Sequence, residues 1–466
     1  MTTVSPPAGP QTTGRRRWAV LAVVLFASIL DLLDATITNI AAPTIAADLH
    51  GGDALVQWLG AGYALAMGVL LVVGGRLGDK YGRRRLFLTG ITGFTLMSIG
   101  CGLAFDPTSV VVFRLLQGAF GALLIPQGFG ILGAVFPRDE IGKAFGVFVP
   151  ALGLSAISGP VLAGFLINAD LFGLGWRPMF LINIVLGGLA IGMAVRLLPR
   201  DTGDRTVTVD GPGSGLLAVT MLGLLYGLID GSSHGWTIAP ILSLILGVVF
   251  FGLFCRRQRT APNPLIEPSL LKNRGFTSGL ILGLVFYAAV SGLLFILSLF
   301  VQDVLRHTPG QASLDLAPIA AGIIVASIAA HNLLARLGRT LIMIGLALVL
   351  AGTASLLILV HAQGAALTTW ALIVPVFVSG LGLGACFGSV YQVTLGDIDP
   401  KESGSASGSL SAVQQLANSI GAAAITTVYF HSSHGTERSL AVVTALALAC
   451  CALVRLLPRK AQSNHH

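Results

Sequence analysis

Long apolar segments separated by short polar ones run through almost the whole chain. An α-helix needs roughly 17–25 residues to cross a bilayer, and each segment has that length or more. We count fourteen of them, near residues 18–42, 55–74, 86–104, 108–135, 141–167, 178–198, 213–230, 237–255, 275–302, 316–335, 340–361, 367–393, 406–430 and 438–457. The pattern therefore predicts an all-α polytopic membrane protein with fourteen transmembrane helices.

The composition excludes an ordinary soluble domain. Of the 466 residues, 54% are hydrophobic and only 10% are charged, whereas soluble domains carry about 25% charged residues. The 59 glycines suit close packing between membrane helices. The five cysteines lie in or beside apolar segments without metal-ligand spacing, so we predict neither a metal site nor a disulfide framework.

The basic residues predict the orientation of these helices. If the N-terminus lies in the cytoplasm, 24 of the 28 Lys and Arg residues fall at cytoplasmic ends, and only Arg177, Arg306 and Arg438 fall outside. The positive-inside rule then places both termini in the cytoplasm. The net charge of +8 is thereby explained by topology, with a lipid bilayer as the partner and no nucleic acid.

Two polar interruptions, 199–212 and 256–274, divide the chain. Without the pair of helices between them, six helices remain on either side, as in transporters built from repeats. The predicted units are a disordered cytoplasmic N-terminus (1–17), a six-helix bundle (18–198), a linker with two extra helices at about 213–230 and 237–255 (199–274), a second six-helix bundle (275–457) and a cytoplasmic tail (458–466).

The first apolar segment carries two carboxylates, Asp31 and Asp34. An aspartate at the centre of a membrane helix costs roughly 2.5–3.5 kcal/mol on insertion scales. The spacing i, i+3 puts both on one helical face, so both can point away from lipid. Our hypothesis is that this face lines a polar cavity and that at least one carboxylate takes up a proton.

The fourth segment carries Arg114, which cannot lose its charge. It lies about six residues from the outer end, or roughly 9 Å at 1.5 Å per residue, and Asp34 lies roughly 13 Å from the same face. The two side chains can therefore meet. The alternative is an arginine that snorkels to the membrane surface.

Other polar residues within the segments are candidates for lining a cavity: Asn39, Gln117, Gln127, Asn183, Gln392 and Gln415. They could equally hold helices together, at about 0.6 kcal/mol each.

Two glycine-rich patterns stand out. The loop after the second segment holds Gly75, Asp79, Gly82, Arg83 and Arg84, where one acid among basic residues favours a charged network, although a plain positive-inside loop would also contain the arginines. In the fifth segment, a helix kink and a close helix contact are predicted by Gly153, Gly159, Pro160 and Gly164.

These motifs resemble those of the major facilitator superfamily. The loop is similar to its signature Gly-x-Leu-x-Asp-x-x-Gly-Arg-Arg, and Arg114 with Gln117 to its fourth-span Arg-x-x-Gln-Gly. The fifth segment resembles the motif of its antiporter branch, with Ala163 in place of a more usual glycine. Residues 33–43 match the first-span motif Leu-Asp-x-Thr-x-x-Asn-x-Ala-x-Pro of the fourteen-spanner drug:proton antiporters.

The resemblance implies a major facilitator fold of two six-helix bundles plus two extra central helices. It also implies that the loop around Asp79 latches the halves on the cytoplasmic side, and that Arg114 takes part in proton transfer. The sequence departs from the family at Gln414, where many relatives carry arginine. Asp34 lies within the first-span motif, so we expect it to handle the proton. Asp31 lies outside the motif, so we predict that it influences the choice of cargo.

Together these features predict a proton-coupled efflux antiporter of the bacterial inner membrane, functional as a monomer. Its cargo is expected to be amphipathic drugs, antibiotics or other cationic or neutral toxic compounds. No Walker motif is present, so the expected energy source is a proton gradient, without a cofactor. The main alternative is a uniporter or nutrient symporter of the same fold. The sequence shows no repeated filter loop of the kind that a channel would need. It also shows no catalytic constellation of the kind that an enzyme would need.

Overall fold

The protein is almost entirely helical. A computed structural model describes residues 14–457 apart from 138–139, 169–170, 208–209, 308, 396–397, 399–401, 431 and 433, and leaves out the side chains of some further residues, such as Asn39 and Pro160. The long helices are α1 (Gly14–Asp48), α2 (Gly52–Tyr81), α3 (Arg83–Gly102), α4 (Pro107–Val135), α5 (Ile141–Asn168), α6 (Pro178–Leu197), α7 (Gly211–His234), α8 (Ile238–Thr260), α10 (Arg274–Leu299), α12 (Ala317–Leu337), α13 (Arg339–Gln363), α14 (Thr369–Leu395), α15 (Ser403–Phe430) and α16 (Gly435–Leu453). Two short helices are α9 (Pro268–Lys272) and α11 (Pro309–Asp315), and α10 continues into a π-helical turn, Phe300–Val304.

A long helix lies at each of the fourteen predicted spans. By length and apolarity, ten helices in the described part are suited to crossing a membrane. Those outside the ten include α3, which opens on three arginines, and the serine-rich α15. The all-helical architecture is therefore as expected, while the number of crossings and the location of the termini stay predictions.

The N-terminal boundary differs from the expectation. Helix α1 begins at Gly14, so residues 14–17 are helical although 1–17 was predicted to be disordered. Arginine is a good helix former, so Arg15–Arg17 extend the helix beyond the apolar run by one turn.

Local signals define where several helices begin. The carboxylate of Asp106 accepts hydrogen bonds from the backbone N–H groups of Thr108 (2.8 Å) and Ser109 (3.0 Å), and Pro107 occupies the first turn. Asn273 caps α10 by accepting from the N–H of Phe276 at 3.1 Å. These caps satisfy N–H groups that have no partner within their own helix.

The first six and the last six long helices pack in the same order. In α1–α6 the second and third helices contact the fourth, the first contacts the fifth, and the first and third contact the sixth; the set α10 and α12–α16 repeats these contacts. Each set encloses its own apolar core. The repeated arrangement is the one expected from two related bundles.

Glycines allow equivalent helix pairs to approach closely in both sets. A Cβ atom on Gly118 of α4 would lie 2.3 Å from the carbonyl oxygen of Tyr63 on α2. In the second set, a Cβ atom on Gly380 of α14 would lie 2.1 Å from the carbonyl oxygen of Ile319 on α12. Both helix pairs therefore depend on the absence of a side chain.

The two sets meet through α2 against α15 and α5 against α12. Helix α7 packs on both α2 and α15, and α8 packs on α7. Arg257 donates to Asp210 at 2.9 Å, which holds the pKa of this carboxyl below its usual range. At the opposite end, Trp236 Nε1 donates to Thr427 on α15 at 3.0 Å. The extra helix pair is therefore fixed to both sets.

The glycine contacts predict a large difference between two small substitutions. Gly380→Ala should lower stability by about 1–3 kcal/mol, because the methyl group would overlap backbone atoms that cannot rotate away. Gly192→Ala is the matched control, since nothing lies within 4 Å of its Cβ position. Thermal unfolding in detergent checks both, and an equal melting temperature for the two variants would contradict the packing described.

Candidate functional site

The carboxylate of Asp34 forms a fully buried ion pair with Arg114. The guanidinium Nη1 lies 2.6 Å from Oδ2, and both side chains are 1% exposed. Asp34 comes from α1 and Arg114 from α4, at the depths that the sequence predicted for a contact. A buried pair of this kind needs further hydrogen bonds to offset the loss of water.

Two amides provide those hydrogen bonds. Oδ1 of Asp34 accepts from Gln117 Nε2 at 3.0 Å and from Asn183 Nδ2 at 2.7 Å. The Gln117 amide oxygen in turn accepts from Arg114 Nη1 at 2.7 Å, which fixes the orientation of the amide. Asn183 also donates to Ser98 Oγ at 2.7 Å. Among the side chains that the structure describes, every group that hydrogen-bonds to the Asp34 carboxylate is thus a donor.

Arg114 is held on its other side by α2 and α6. Its Nε donates to the carbonyl oxygen of Leu59 at 3.1 Å. Its Cζ lies 4.5 Å from the ring centroid of Tyr63 and 6.0 Å from that of Phe180. Aromatic faces stabilise a guanidinium that has lost its water, so the cation is immobilised between helices and does not snorkel.

The second carboxylate, Asp31, has a different partner. The Tyr63 hydroxyl donates to Asp31 Oδ1. Gly121 on α4 leaves room for this pair, since a Cβ atom there would lie 2.9 Å from the Tyr63 hydroxyl. Tyr63 and Ser98 were missed by the sequence analysis; a lone tyrosine within an apolar segment was the available signal for Tyr63.

The network contains two carboxylates and one guanidinium. Asp31 and Asp34 both lie in the interior, with 9% and 2% of their surface exposed. Two carboxylates and one guanidinium leave one net negative charge, which is costly in a low-dielectric interior. One bound proton would make the cluster neutral.

Asp79 joins the two halves at the end of the molecule where the glycine-rich loop lies. Its Oδ1 accepts from Arg83 Nη2 at 3.1 Å, and its Oδ2 accepts from the backbone N–H of Ser405 at 3.1 Å. Ser405 lies in the first turn of α15, where the helix dipole favours a negative charge. Arg83 also donates to the carbonyl oxygen of Gly130 on α4 at 3.0 Å.

The rest of the loop is fixed by one acid and one backbone carbonyl that no local sequence pattern indicates. Asp201 caps α3 by accepting from the backbone N–H groups of Arg83 and Arg84 at 2.5 and 3.1 Å. Gly82, with φ at 96°, makes the turn that allows this, and Gly75 is buried. Arg84 donates to the carbonyl oxygen of Val195 at 2.7 Å.

Further contacts close this end between the halves. Arg76 on α2 pairs at 2.7 Å with Glu267 of the linker that leads into the second set. The ring of Phe129 on α4 lies 4.6 Å from that of Tyr391 on α14, centroid to centroid. Polar and aromatic contacts thus hold the two sets of helices together at this end.

Three of the predicted cavity-lining residues do not line an open space in this structure. Gln117 and Gln127 are 0% exposed and Asn183 is 3% exposed. Gln127 donates to the carbonyl oxygen of Gly74 at 2.9 Å, and so holds α4 to α2. Each of the three faces a neighbouring helix here, which is the alternative that the sequence left open, and a role in lining a cavity stays a prediction.

The structure gives burial or a single contact for the other predicted residues, and for four of them neither. Gln415 is half-buried and lies 3.6 Å from Met67 Sδ, and Gln392 is half-buried. A Cβ atom on Gly159 would lie 2.0 Å from Thr36 Oγ1, so α5 approaches α1 closely beside the acids. The side-chain positions of Asn39, Gly153, Pro160 and Gly164 lie outside the described residues.

Comparison with known proteins identifies the family. Residues 24–422 match the sequence profile described as Major Facilitator Superfamily. The chain belongs to the major facilitator superfamily. As a member of this family it is a membrane transporter and not an enzyme.

Its relatives in the superfamily include transport and resistance proteins of Streptomyces. The chain is 41% identical to a probable actinorhodin transporter of Streptomyces coelicolor over 91% of its own length and 74% of the relative. It is 33% identical to a puromycin resistance protein of Streptomyces alboniger, over 92% of its own length and 86% of the relative. A tetracenomycin C resistance and export protein of Streptomyces glaucescens is 30% identical, over 88% and 75%.

Solved structures of superfamily members share the fold. The human organic anion transporter MFSD10 superposes with a TM-score of 0.70 at 15% identity, covering 97% of this chain and 100% of that one. The proton:xylose symporter XylE gives 0.67 at 14% identity, covering 95% of each chain. The all-helical major facilitator fold predicted from the motifs is therefore confirmed.

The buried ion pair predicts a non-additive pair of substitutions. Arg114→Met should destabilise the protein by about 3–5 kcal/mol, since it leaves the Asp34 carboxylate buried without a cation. Adding Asp34→Asn should recover part of that loss, because no buried charge then remains unpaired at this position. Thermal unfolding of both single variants and the double variant measures the coupling, and additive losses would contradict it.

The latch around Asp79 predicts a shift between conformations. Asp79→Ala removes the acceptor for both Arg83 and the N–H of Ser405, and should weaken closure at this end by about 3 kcal/mol. The distribution of distances between spin labels placed on α2 and α15 should broaden toward longer values. Arg85→Ala, at a neighbouring exposed arginine, is the control, and unchanged distances in Asp79→Ala would show that the latch has no such role.

Proposed function

We propose that this transporter exports amphipathic small molecules, including antibiotics and other drugs, in exchange for protons. The proposal is carried by one observation: two buried carboxylates, Asp31 and Asp34, lie in one network with a single guanidinium, Arg114, which pairs with Asp34, while Asp31 accepts from Tyr63. Such a cluster changes its charge when it gains or loses one proton. Intramembrane acids of this kind mark proton pathways in pumps and transporters.

The exchange follows from alternating access. When the site opens to the outside, the cluster takes up a proton; when it opens to the cytoplasm, it releases the proton and captures cargo. The Asp79 latch and the Phe129–Tyr391 contact supply the closed cytoplasmic gate. We take 18–198 and 275–457 as the two moving bundles, with fourteen spans, both termini in the cytoplasm and the bacterial cell membrane as the location.

The relatives support the direction and class of cargo. The probable actinorhodin transporter and the tetracenomycin C export protein are similar to this chain over most of its length. The first-span motif around Asp34 and the fifth-span glycines around Gly159 resemble those of antiporters. Amphipathic antibiotics are therefore the cargo that we propose, recognised by an apolar wall with few polar groups.

Transport by proteoliposomes tests the proposal. The purified protein is reconstituted with an acidic interior, and uptake of actinorhodin, puromycin and ethidium is followed. A proton gradient of this direction should drive uptake of at least one probe and should itself decay as the probe enters. Protein-free liposomes and the double variant Asp31→Asn/Asp34→Asn are controls, because passive trapping in an acidic interior is the same in all three.

Two results would contradict the function. Uptake that is equal in the wild type and the double variant would remove the proton-coupling role of the acids. Accumulation only with an alkaline interior would identify a symporter, in which proton and cargo travel together.

A further inference from the structure

We propose that Asp31 is the carboxyl group that carries the exchanged proton, that Tyr63 positions it, and that Asp34 remains the fixed counter-anion of Arg114. This inference rests on the proposed exchange of cargo for protons and assigns the proton to one of the two acids. It reverses the expectation from the family motif, which contains Asp34 and not Asp31.

The partners of Asp34 and Asp31 differ in hydrogen-bonding capacity. Asp34 is contacted by a guanidinium and two amide NH₂ groups, which can only donate toward it. A protonated Asp34 would direct its O–H at another donor or lose one of these bonds. Tyr63 presents a hydroxyl to Asp31, and a hydroxyl can either donate to a carboxylate or accept from a carboxylic acid. The Asp31 site accommodates both protonation states with no change beyond rotation of the Tyr63 hydroxyl hydrogen.

Protonation of Asp34 and protonation of Asp31 leave different charges in the interior. A proton on Asp34 would leave the Arg114 guanidinium, 1% exposed, without its ion-pair partner. A proton on Asp31 neutralises a carboxylate whose hydrogen-bond partner, Tyr63, is itself neutral. The same proton is therefore accepted at lower cost by Asp31.

The groups around Asp31 agree with this assignment. The titratable and charged groups that face it are Tyr63 from α2, Arg114 from α4 and Asp34 from α1 itself. Helices α5 and α6 also pack against α1 but bring no charged side chain to Asp31 in the part of the chain that is described. Tyr63 contacts both parts of the cluster, with its hydroxyl on Asp31 and its ring against Arg114.

The proton steps balance as a simple exchange. From the outside, one proton binds to the Asp31 carboxylate and forms a carboxylic acid that donates to the Tyr63 oxygen. After the bundles rock, the O–H bond breaks, the proton passes to cytoplasmic water, and Asp31 is again a carboxylate that accepts from Tyr63. Asp34 and Arg114 stay paired in both halves of this cycle.

Chemical labelling of the wild-type protein tests the assignment without any substitution. Dicyclohexylcarbodiimide reacts with protonated carboxyl groups in apolar surroundings, and the product is located by peptide mass spectrometry. We expect label at Asp31 at acidic pH, less label as the pH rises, and no label at Asp34. Label at Asp34, or pH-independent label at Asp31, would overturn the inference.

Substitutions supply a second readout in proteoliposomes, with the probe among actinorhodin, puromycin and ethidium that the wild type exchanges. Asp31→Asn should lower proton-driven uptake by about tenfold or more. Probe counterflow, which needs no gradient, should lose its dependence on pH in this variant, since Asn has the shape of the protonated carboxyl at every pH. Asp106→Asn is the matched control, because Asn is an equally good helix cap.

Tyr63→Phe separates positioning from packing. The ring that contacts Arg114 is kept, while the donor to the Asp31 carboxylate is lost. The pH midpoint of proton-driven uptake should therefore move up by about one pH unit, the effect of losing one hydrogen bond to a charged group. An unchanged midpoint would contradict the role of Tyr63.

The outcomes separate this inference from the function on which it rests. If the wild type exchanges none of the probes for protons, the proposed function fails and the inference falls with it. If the wild type exchanges a probe, and Asp34→Asn alone abolishes coupling while Asp31→Asn stays coupled, the function stands and the assignment to Asp31 is wrong.

Discussion

The ion pair between Asp34 and Arg114 is the constraint on which the rest of the N-terminal helices depend. Two charges lie in an interior that excludes water, and each is tolerated only because the other is 2.6 Å away. The amides of Gln117 and Asn183 complete the shell of donors around the carboxylate. Helices α1, α4 and α6 are thereby held in one rotation relative to one another, since turning any of them would expose a charge without a partner.

Helix α2 connects this site to the gate that we propose at Asp79. It carries Tyr63 beside the acids and Asp79 at the latch, sixteen residues apart, which corresponds to roughly 24 Å along a helix. Tyr63 contacts both Asp31 and Arg114, while Asp79 contacts α15 of the other half. A movement of α2 that follows a change of charge beside Tyr63 would therefore also move Asp79 relative to α15.

Part of this arrangement follows from the sequence because the α-helix has a fixed rise per residue. Depth along a span predicted that Arg114 and Asp34 meet, and the spacing of Asp31 and Asp34 predicted that both avoid lipid. Rotation of helices about their axes is not encoded so simply. For that reason Tyr63 was missed, and the sequence left open whether Gln117 and Asn183 line a cavity or hold helices together, whereas both bind Asp34. Partners from distant loops, such as Asp201 at the start of α3, depend on chain connections that no local pattern specifies.

The central claim is that cargo and proton exclude each other at one buried cluster. Calorimetry of actinorhodin, puromycin and ethidium binding to the purified protein, repeated in buffers of different ionisation enthalpy, counts the protons released as cargo binds. At a pH where the cluster is protonated, the account predicts release of about one proton per cargo molecule bound. Cargo binding with no proton released, across the pH range in which the protein transports, would contradict it.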